Sequence, residues 1–342
     1  MMKSHVLHTD APFHFEAGGV LPSIDVEYRC SDRGYVPGDK VVWICHALTA
    51  NSDAEDWWPE LVGPGKLIDT QRFFVVCVNM LTSPYGSSGP ASLNPSTGRP
   101  YFLDFPKTTV RDMVNASILV RKALGIESID LIIGGSIGGF QAVEWAVMEP
   151  ERIRKAVFVA TCPRVTPWVT AGMEAQRMAL LADPGFEACK DIHGGEAGLR
   201  CARAQALISY RTFRGYALTQ QETDEDVIFA DRAASYERYQ GLKLTRRGFD
   251  AYSYYYLTYA VDSHNVGRGR GGVERALSGI KAQSTVIAID TDGMFPLADQ
   301  KVFAGMIPGA DFREVSSDFG HDGFLLENDQ LTAILAPLIA SL

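Results

Sequence analysis

Five short runs of apolar and β-branched residues punctuate the chain, at 41–45, 73–78, 129–133, 156–160 and 285–289. Each is apolar almost throughout, Asp130 and Thr285 excepted, instead of alternating with polar residues, the pattern of a strand covered on both faces in a parallel sheet. Helical periodicity fills two of the gaps. One helix is expected over 110–124 behind the start signal Thr108-Thr109, and another over 139–148, ending before Pro150. Strands and helices alternating in this way predict an α/β fold with an open, doubly wound, mostly parallel sheet. The rhythm then breaks. From about 166 to 277 strand signals vanish and helical stretches such as 173–182 and 198–209 dominate, and the β-α rhythm resumes at Thr285. The expected organisation is a catalytic core made of 1–165 and 278–342, interrupted by a helical lid over 166–277.

Composition narrows the class without naming a reaction. The 342 residues are 46% hydrophobic and 21% charged, which excludes disordered, collagenous and small disulfide-stapled chains. A chain of this length buries roughly three quarters of its unfolded surface and needs no covalent staples. Lys plus Arg number 32 against 41 for Asp plus Glu, a formal charge of −9. That balance lacks the basic footprint of a nucleic-acid binder. Six cysteines lie far apart without a C-x-x-C pair, several of them inside apolar runs, and are expected as buried free thiols. Residues Met1-Met2-Lys3-Ser4-His5 carry no apolar signal core, and no run approaches the ~18 apolar residues of a membrane span. A cytoplasmic location and no membrane contact are therefore expected. Metal-ligand spacings such as His-Glu-x-x-His are absent, so no metal site is expected.

The strongest chemical signal is Gly134-Gly135-Ser136-Ile137-Gly138, which follows the strand at 129–133 and opens a helix. G-x-S-x-G in strand-turn-helix context is the nucleophile elbow, in which flanking glycines give a strained serine room. Such an elbow requires a carboxylate and then a histidine further along the chain. Of the downstream histidines, His193 and His264 fall in the helical insert. His321 lies in the loop Gly320-His321-Asp322-Gly323-Phe324, where the last strand should deliver a base. The acid belongs just past the strand at 285–289, where Asp290 and Asp292 both qualify and spacing does not separate them; Asp299, Asp311 and Asp318 are weaker rivals. An oxyanion hole would combine the backbone N–H of Ile137 with one from the loop His46-Ala47-Leu48-Thr49, Leu48 being the expected donor. His46 lies too far upstream for the base and reads as structural.

Two further features are weaker. Gly267-Arg268-Gly269-Arg270-Gly271-Gly272 contains G-x-G-x-x-G but follows a Tyr-rich helical segment instead of a strand, so it reads as a loop. The cluster Tyr252, Tyr254, Tyr255, Tyr256 and Tyr259 reads as helix or interface packing.

Taken together these residues resemble the homoserine O-acetyltransferase family of the α/β-hydrolase fold. The resemblance extends from about Phe15 to Glu327. Its strongest segments include His46-Ala47-Leu48-Thr49, Gly86-Ser87-Ser88-Gly89-Pro90, Asn94-Pro95-Ser96-Thr97-Gly98-Arg99-Pro100-Tyr101, the elbow through Trp145-Ala146, and Asp262-Ser263-His264-Asn265-Val266-Gly267-Arg268-Gly269. It implies that Asp292, in Asp292-Gly293-Met294-Phe295-Pro296, is the catalytic acid. It further implies that Arg203 binds the acceptor's carboxylate, that Asp322 is its counterpart for the ammonium, and that Arg177 lines the channel. An amino-acid zwitterion does need a cation and an anion to hold it. The implied chemistry is ping-pong transfer of an acetyl group from acetyl-CoA, a substrate and not a bound cofactor, to L-homoserine in methionine biosynthesis, in a homodimer built through the lid. Departures from the family occur at Thr82-Ser83-Pro84-Tyr85 and Phe102, where glycines are usual, at Ala50, and at Gly293 in place of a Trp; the stretch between Phe186 and Gly198 is short. They leave two alternatives open: a succinyl donor or serine acceptor, and an esterase or thioesterase with water as acceptor.

Overall fold

The computed structural model describes residues 1–342. Its centre is a sheet of eight strands: β1 (Met2–Thr9), β2 (Ile24–Ser31), β3 (Val41–Cys45), β4 (Phe74–Val78), β5 (Ile129–Gly135), β6 (Ile153–Val159), β7 (Gln283–Ile289) and β8 (Asp311–Val315). The spatial order is β1-β2-β4-β3-β5-β6-β7-β8. Only β2 runs against its neighbours; from β4 through β8 every pairing is parallel. All five strands expected from apolar runs are present, with ends displaced by up to three residues.

The three strands that apolar runs did not reveal are β1, β2 and β8. β1 and β2 form an antiparallel pair at one sheet edge, β8 forms the other edge, and β1 and β8 are mostly exposed. An edge strand needs no continuous apolar run, because only one side of it meets the core.

The central strands are apolar on both faces at their centres for a period-2 reason. Trp43, Ile132 and Phe158 point into one hydrophobic cluster, with Val143 and Trp145 of the helix Ile137–Met148. Their neighbours Val42, Ile44, Ile133 and Val159 point into a second cluster on the other face, with Leu331, Leu335 and Ile339 of the helix Asn328–Ala340. Alternate residues of one strand thus bury against opposite helical layers.

Helix α1 (Val110–Ala123) starts at the expected position because Thr109 accepts the Asp112 N–H while the Asp112 carboxylate accepts the Thr109 N–H, a reciprocal capping box. Helix α2 is Ile137–Met148. Between β6 and β7 the long elements are all helical: α3 (Pro167–Leu181), α4 (Glu196–Tyr210), α5 (Phe213–Gln220), α6 (Arg232–Arg246) and α7 (Ala251–Asp262). Apolar residues of these helices, among them Val169, Leu199 and Tyr254, share one cluster with Leu48, Met80, Ile137, Cys162 and Met294. Those five residues follow the C-terminal ends of β3, β4, β5, β6 and β7 respectively, so the helices sit over that edge of the sheet. The six cysteines are free, and Cys30, Cys45, Cys77 and Cys162 are buried. No helix is long and apolar enough to cross a membrane.

Candidate active site

Ser136 joins β5 to α2 with φ 58° and ψ −127°, a conformation that a side chain other than glycine's rarely adopts. Its surroundings force that geometry. The Ser136 N–H donates to the Val159 carbonyl at 3.0 Å, and Thr161 Oγ1 donates to the Ser136 carbonyl at 3.0 Å. Neighbouring backbone comes so close that only glycine fits beside the serine. A Cβ on Gly138 would lie 2.1 Å from the Cys45 carbonyl oxygen, and one on Gly134 would lie 2.2 Å from that of Gly138.

The loop after β8 carries His321 and the loop after β7 carries Asp292, and the sheet brings both to Ser136. His321 Nε2 lies 2.9 Å from Ser136 Oγ, and His321 Nδ1 lies 2.8 Å from Asp292 Oδ2. With a carboxylate at Nδ1, that nitrogen carries the proton and Nε2 is left to accept from the serine hydroxyl. Asp292 is itself held, because its Oδ1 accepts the N–H groups of Met294 at 2.8 Å and Phe295 at 3.0 Å. Burial pulls the His321 pKa down, yet the charge and hydrogen bond of Asp292 outweigh it, and the net shift is upward from 6.5. Asp290, which spacing could not separate from Asp292, points elsewhere: it accepts Ser316 Oγ at 2.8 Å and the Ser317 N–H at 2.9 Å. Geometry therefore selects Asp292.

Leu48 follows β3, and its N–H makes no hydrogen bond within the protein. Ile137 is the first residue of α2, where helix geometry leaves N–H groups unused and the dipole is positive. His46 is buried and fixes the loop between them. Its Nδ1 donates to the Ala47 carbonyl at 2.9 Å, and its Nε2 accepts the Met80 N–H at 3.0 Å. Burial pushes its pKa down to about 4, so it stays neutral and structural.

A cavity of about 70 Å³ lies against Ser136 and His321, bounded by Leu48, Arg203, Tyr210 and Asp322 among others. Arg203 is half-buried and takes part in no ion pair, and its guanidinium lies 5.7 Å from the centre of the Tyr210 ring. Asp322 is also half-buried; Oδ2 accepts Arg211 Nε at 3.0 Å, while Oδ1 has no partner. Arg177 is placed differently from the sequence expectation. It is buried in the lid, paired with Glu174 and Asp262, bonded to Thr258 and packed over the Tyr259 ring. Its donors are occupied and it does not bound this cavity.

Tyr210 and Arg211 are the site residues that sequence reasoning missed. The signal for Tyr210 is its seven-residue spacing from Arg203 on α4, which puts both on one helical face. The remaining histidines are elsewhere: His193 is exposed beside Glu196, and His264 is buried, stacked on Phe140 and bonded to the Cys162 carbonyl. The arginines of the Arg-Gly loop serve internal ion pairs, Arg268 with Glu16 and Arg270 with Glu144. No group of three His, Cys, Asp or Glu side chains is arranged to hold a metal ion.

Comparison with known proteins gives the same picture at longer range. A profile described as alpha/beta hydrolase fold matches residues 40–328. A curated homoserine O-acetyltransferase from Cyclobacterium marinum is 39% identical over 334 residues, 98% of this chain and 94% of that protein. Among solved structures, homoserine O-acetyltransferase from Bacillus anthracis superposes with a TM-score of 0.89 over 99% of this chain and 98% of its own, at 24% identity. Esterase E22 in its L374D form gives 0.90 over 99% and 100%, at 23% identity. At such identities the structural likeness speaks for the fold alone.

Proposed function

The chain belongs to the homoserine O-acetyltransferase family within the α/β-hydrolase fold, and from that premise we propose that it transfers an acetyl group to the hydroxyl of L-homoserine, in methionine biosynthesis, with acetyl-CoA as donor. Ser136 Oγ attacks the thioester carbonyl as His321 Nε2 takes its proton, and the N–H groups of Leu48 and Ile137 hold the oxyanion. The C–S bond then breaks, and His321 returns the proton to the departing thiolate, leaving acetyl-Ser136. In the second half the homoserine hydroxyl gives its proton to His321 and attacks the ester carbonyl. The bond to Ser136 Oγ breaks, the serine recovers the proton, and O-acetylhomoserine departs.

The observation that carries a transferase over a hydrolase is the pair of charges flanking the nucleophile. Arg203 offers an unpaired cation for a carboxylate, and Asp322 an unoccupied oxygen for an ammonium, on the two sides of one small cavity. Water needs neither. Arg203 and Tyr210 put helix α4 along this space, which would limit water's access to the acyl-enzyme.

The same reading includes a homodimer joined through the lid. Its support is the set of large apolar side chains that the lid exposes, including Trp168, Met178, Ile208 and Phe213. It also includes a cytoplasmic location, in keeping with six unpaired cysteines.

The test is intact-mass and peptide mass spectrometry after mixing the protein with acetyl-CoA alone. An acetyl adduct on Ser136 that disappears when homoserine is added supports the proposal. Adduct formation that only water discharges would refute the choice of acceptor.

A further inference from the structure

A second cavity adjoins the one beside Ser136. It has a volume of about 110 Å³ and is lined by Thr49, Arg203, Gln240, Lys243, Leu244 and Arg247. Thr49 and Arg203 form part of both cavities, so the two share a wall. Three of the six lining residues are cations and none is an acid. Lys243 and Arg247 stand four residues apart at the C-terminal end of α6, a spacing that puts them on one face.

In a chain of net charge −9, cations usually find a carboxylate. Arg247 does, donating to Asp56 at 2.7 Å. Lys243 and Arg203 do not. A further polar group is left open at the same place. The hydroxyl of Tyr85 is buried without a hydrogen-bond partner, in a setting where Arg247 and Arg203 outnumber the one carboxylate, Asp56, that Arg247 already pairs. A buried hydroxyl without a partner is a costly arrangement that a ligand oxygen would relieve.

A space of about 110 Å³ has room for a phosphate or carboxylate group. Lys, Arg and amide donors lining such a space, with the Tyr85 phenol beside Arg247 and no carboxylate in the lining, make an oxyanion receptor.

We propose that this cavity, through Lys243 and Arg247 with Gln240 and Tyr85, binds an anionic oxygen group of the acyl donor while the donor's carbonyl lies at Ser136. The proposal rests on the acyl-transfer reading above and adds the donor-recognising residues to it. Two donor groups share the required chemistry, a phosphate of CoA and a carboxylate at the far end of a dicarboxylic acyl chain. Arg203, on the shared wall, faces both the acceptor space and the donor space.

The experiment compares wild type with Lys243→Ala, Lys243→Arg and Tyr85→Phe, using acetyl-CoA, acetyl-pantetheine and succinyl-CoA as donors and homoserine as acceptor. If the anion is a phosphate, wild type prefers acetyl-CoA over acetyl-pantetheine in kcat/KM. Lys243→Ala then raises the KM for acetyl-CoA about tenfold, the effect of one charge-assisted hydrogen bond, and narrows that preference. Lys243→Arg restores it, and Tyr85→Phe gives a smaller loss in the same parameter. If the anion is the acyl carboxylate, wild type uses succinyl-CoA and Lys243→Ala loses about tenfold on that donor alone. An unchanged KM for every donor, or a rise confined to homoserine, overturns the proposal. Should wild type transfer no acyl group at all, the acyl-transfer reading fails separately. Calorimetric binding of CoA and of succinate to Ser136→Ala, with and without Lys243→Ala, then decides on the cavity alone. Weaker binding of either probe in the double variant upholds an oxyanion site there, and equal binding of both, or no binding, overturns it.

Discussion

Arg211 holds Asp322 by one oxygen only: Nε donates to Oδ2 at 3.0 Å, Oδ1 has no partner, and Asp322 lines the cavity beside Ser136. The carboxylate is therefore fixed in direction and still free to receive a second cation. Arg211 follows the last residue of α4 and Asp322 follows His321, so this contact also ties the lid to the loop that delivers the base.

Arg211→Leu should release Asp322 without touching the nucleophile. The KM for homoserine is expected to rise about tenfold, as for a lost charge-assisted hydrogen bond, with kcat changed much less. Arg211→Lys should recover part of the loss. Steady-state kinetics at varied homoserine read this directly, and a fall in kcat at unaltered KM would assign Arg211 a different role.

The acidic limb of the rate should lie above 6.5, the ordinary histidine value. The reactive form of His321 is the neutral imidazole, and its pKa is raised from 6.5 in the folded protein because Asp292 outweighs the effect of burial. Activity is accordingly lost as pH falls through that raised value. Asp292→Asn removes the raising influence and leaves burial, so the limb should move to lower pH while kcat drops by about 10³–10⁴-fold. A pH–rate profile of kcat/KM for both proteins checks the sign. A limb that stays in place in Asp292→Asn would contradict the assignment.

Gly138→Ala should cost at least about 2 kcal/mol of stability, since its Cβ would lie 2.1 Å from backbone that cannot retreat. Gly305→Ala serves as the comparison, because its Cβ meets nothing within 4 Å. Denaturant unfolding of the two variants should separate them clearly, and similar midpoints would show that the elbow tolerates a side chain.

Removing His46 strips the Met80 N–H of its buried acceptor and frees the loop that presents Leu48. His46→Ala is expected to lose about 1–3 kcal/mol of stability and to lower kcat more than it alters the KM for homoserine. Thermal unfolding and steady-state rates test the two halves separately.

What could be read from the sequence follows from the physics of each element. The central strands were legible because both faces are buried and most positions are apolar, whereas β1, β2 and β8 lie toward the sheet edges and carry no such mark. Ser136 was legible because the elbow demands glycines at fixed offsets. His321 was legible through chain order. Asp292 and Asp290 differ in what their loop lets them reach, which only the three-dimensional path of that loop decides. For Arg177, a cationic residue in the lid resembled a channel residue, but its carboxylate partner Asp262 lies 85 positions away in sequence and captures it. Arg211 escaped because its role comes from a contact with Asp322, 111 positions away, and Tyr210 because only the placement of α4 beside Ser136 brings it to the site.

The most direct measurement of the central claim follows thiol release from acetyl-CoA with and without L-homoserine, in wild type and in Ser136→Ala, with the product identified by mass spectrometry. The account predicts release that depends on homoserine, yields O-acetylhomoserine mole for mole, and vanishes in Ser136→Ala. Thiol release at the same rate in the absence of homoserine would contradict it.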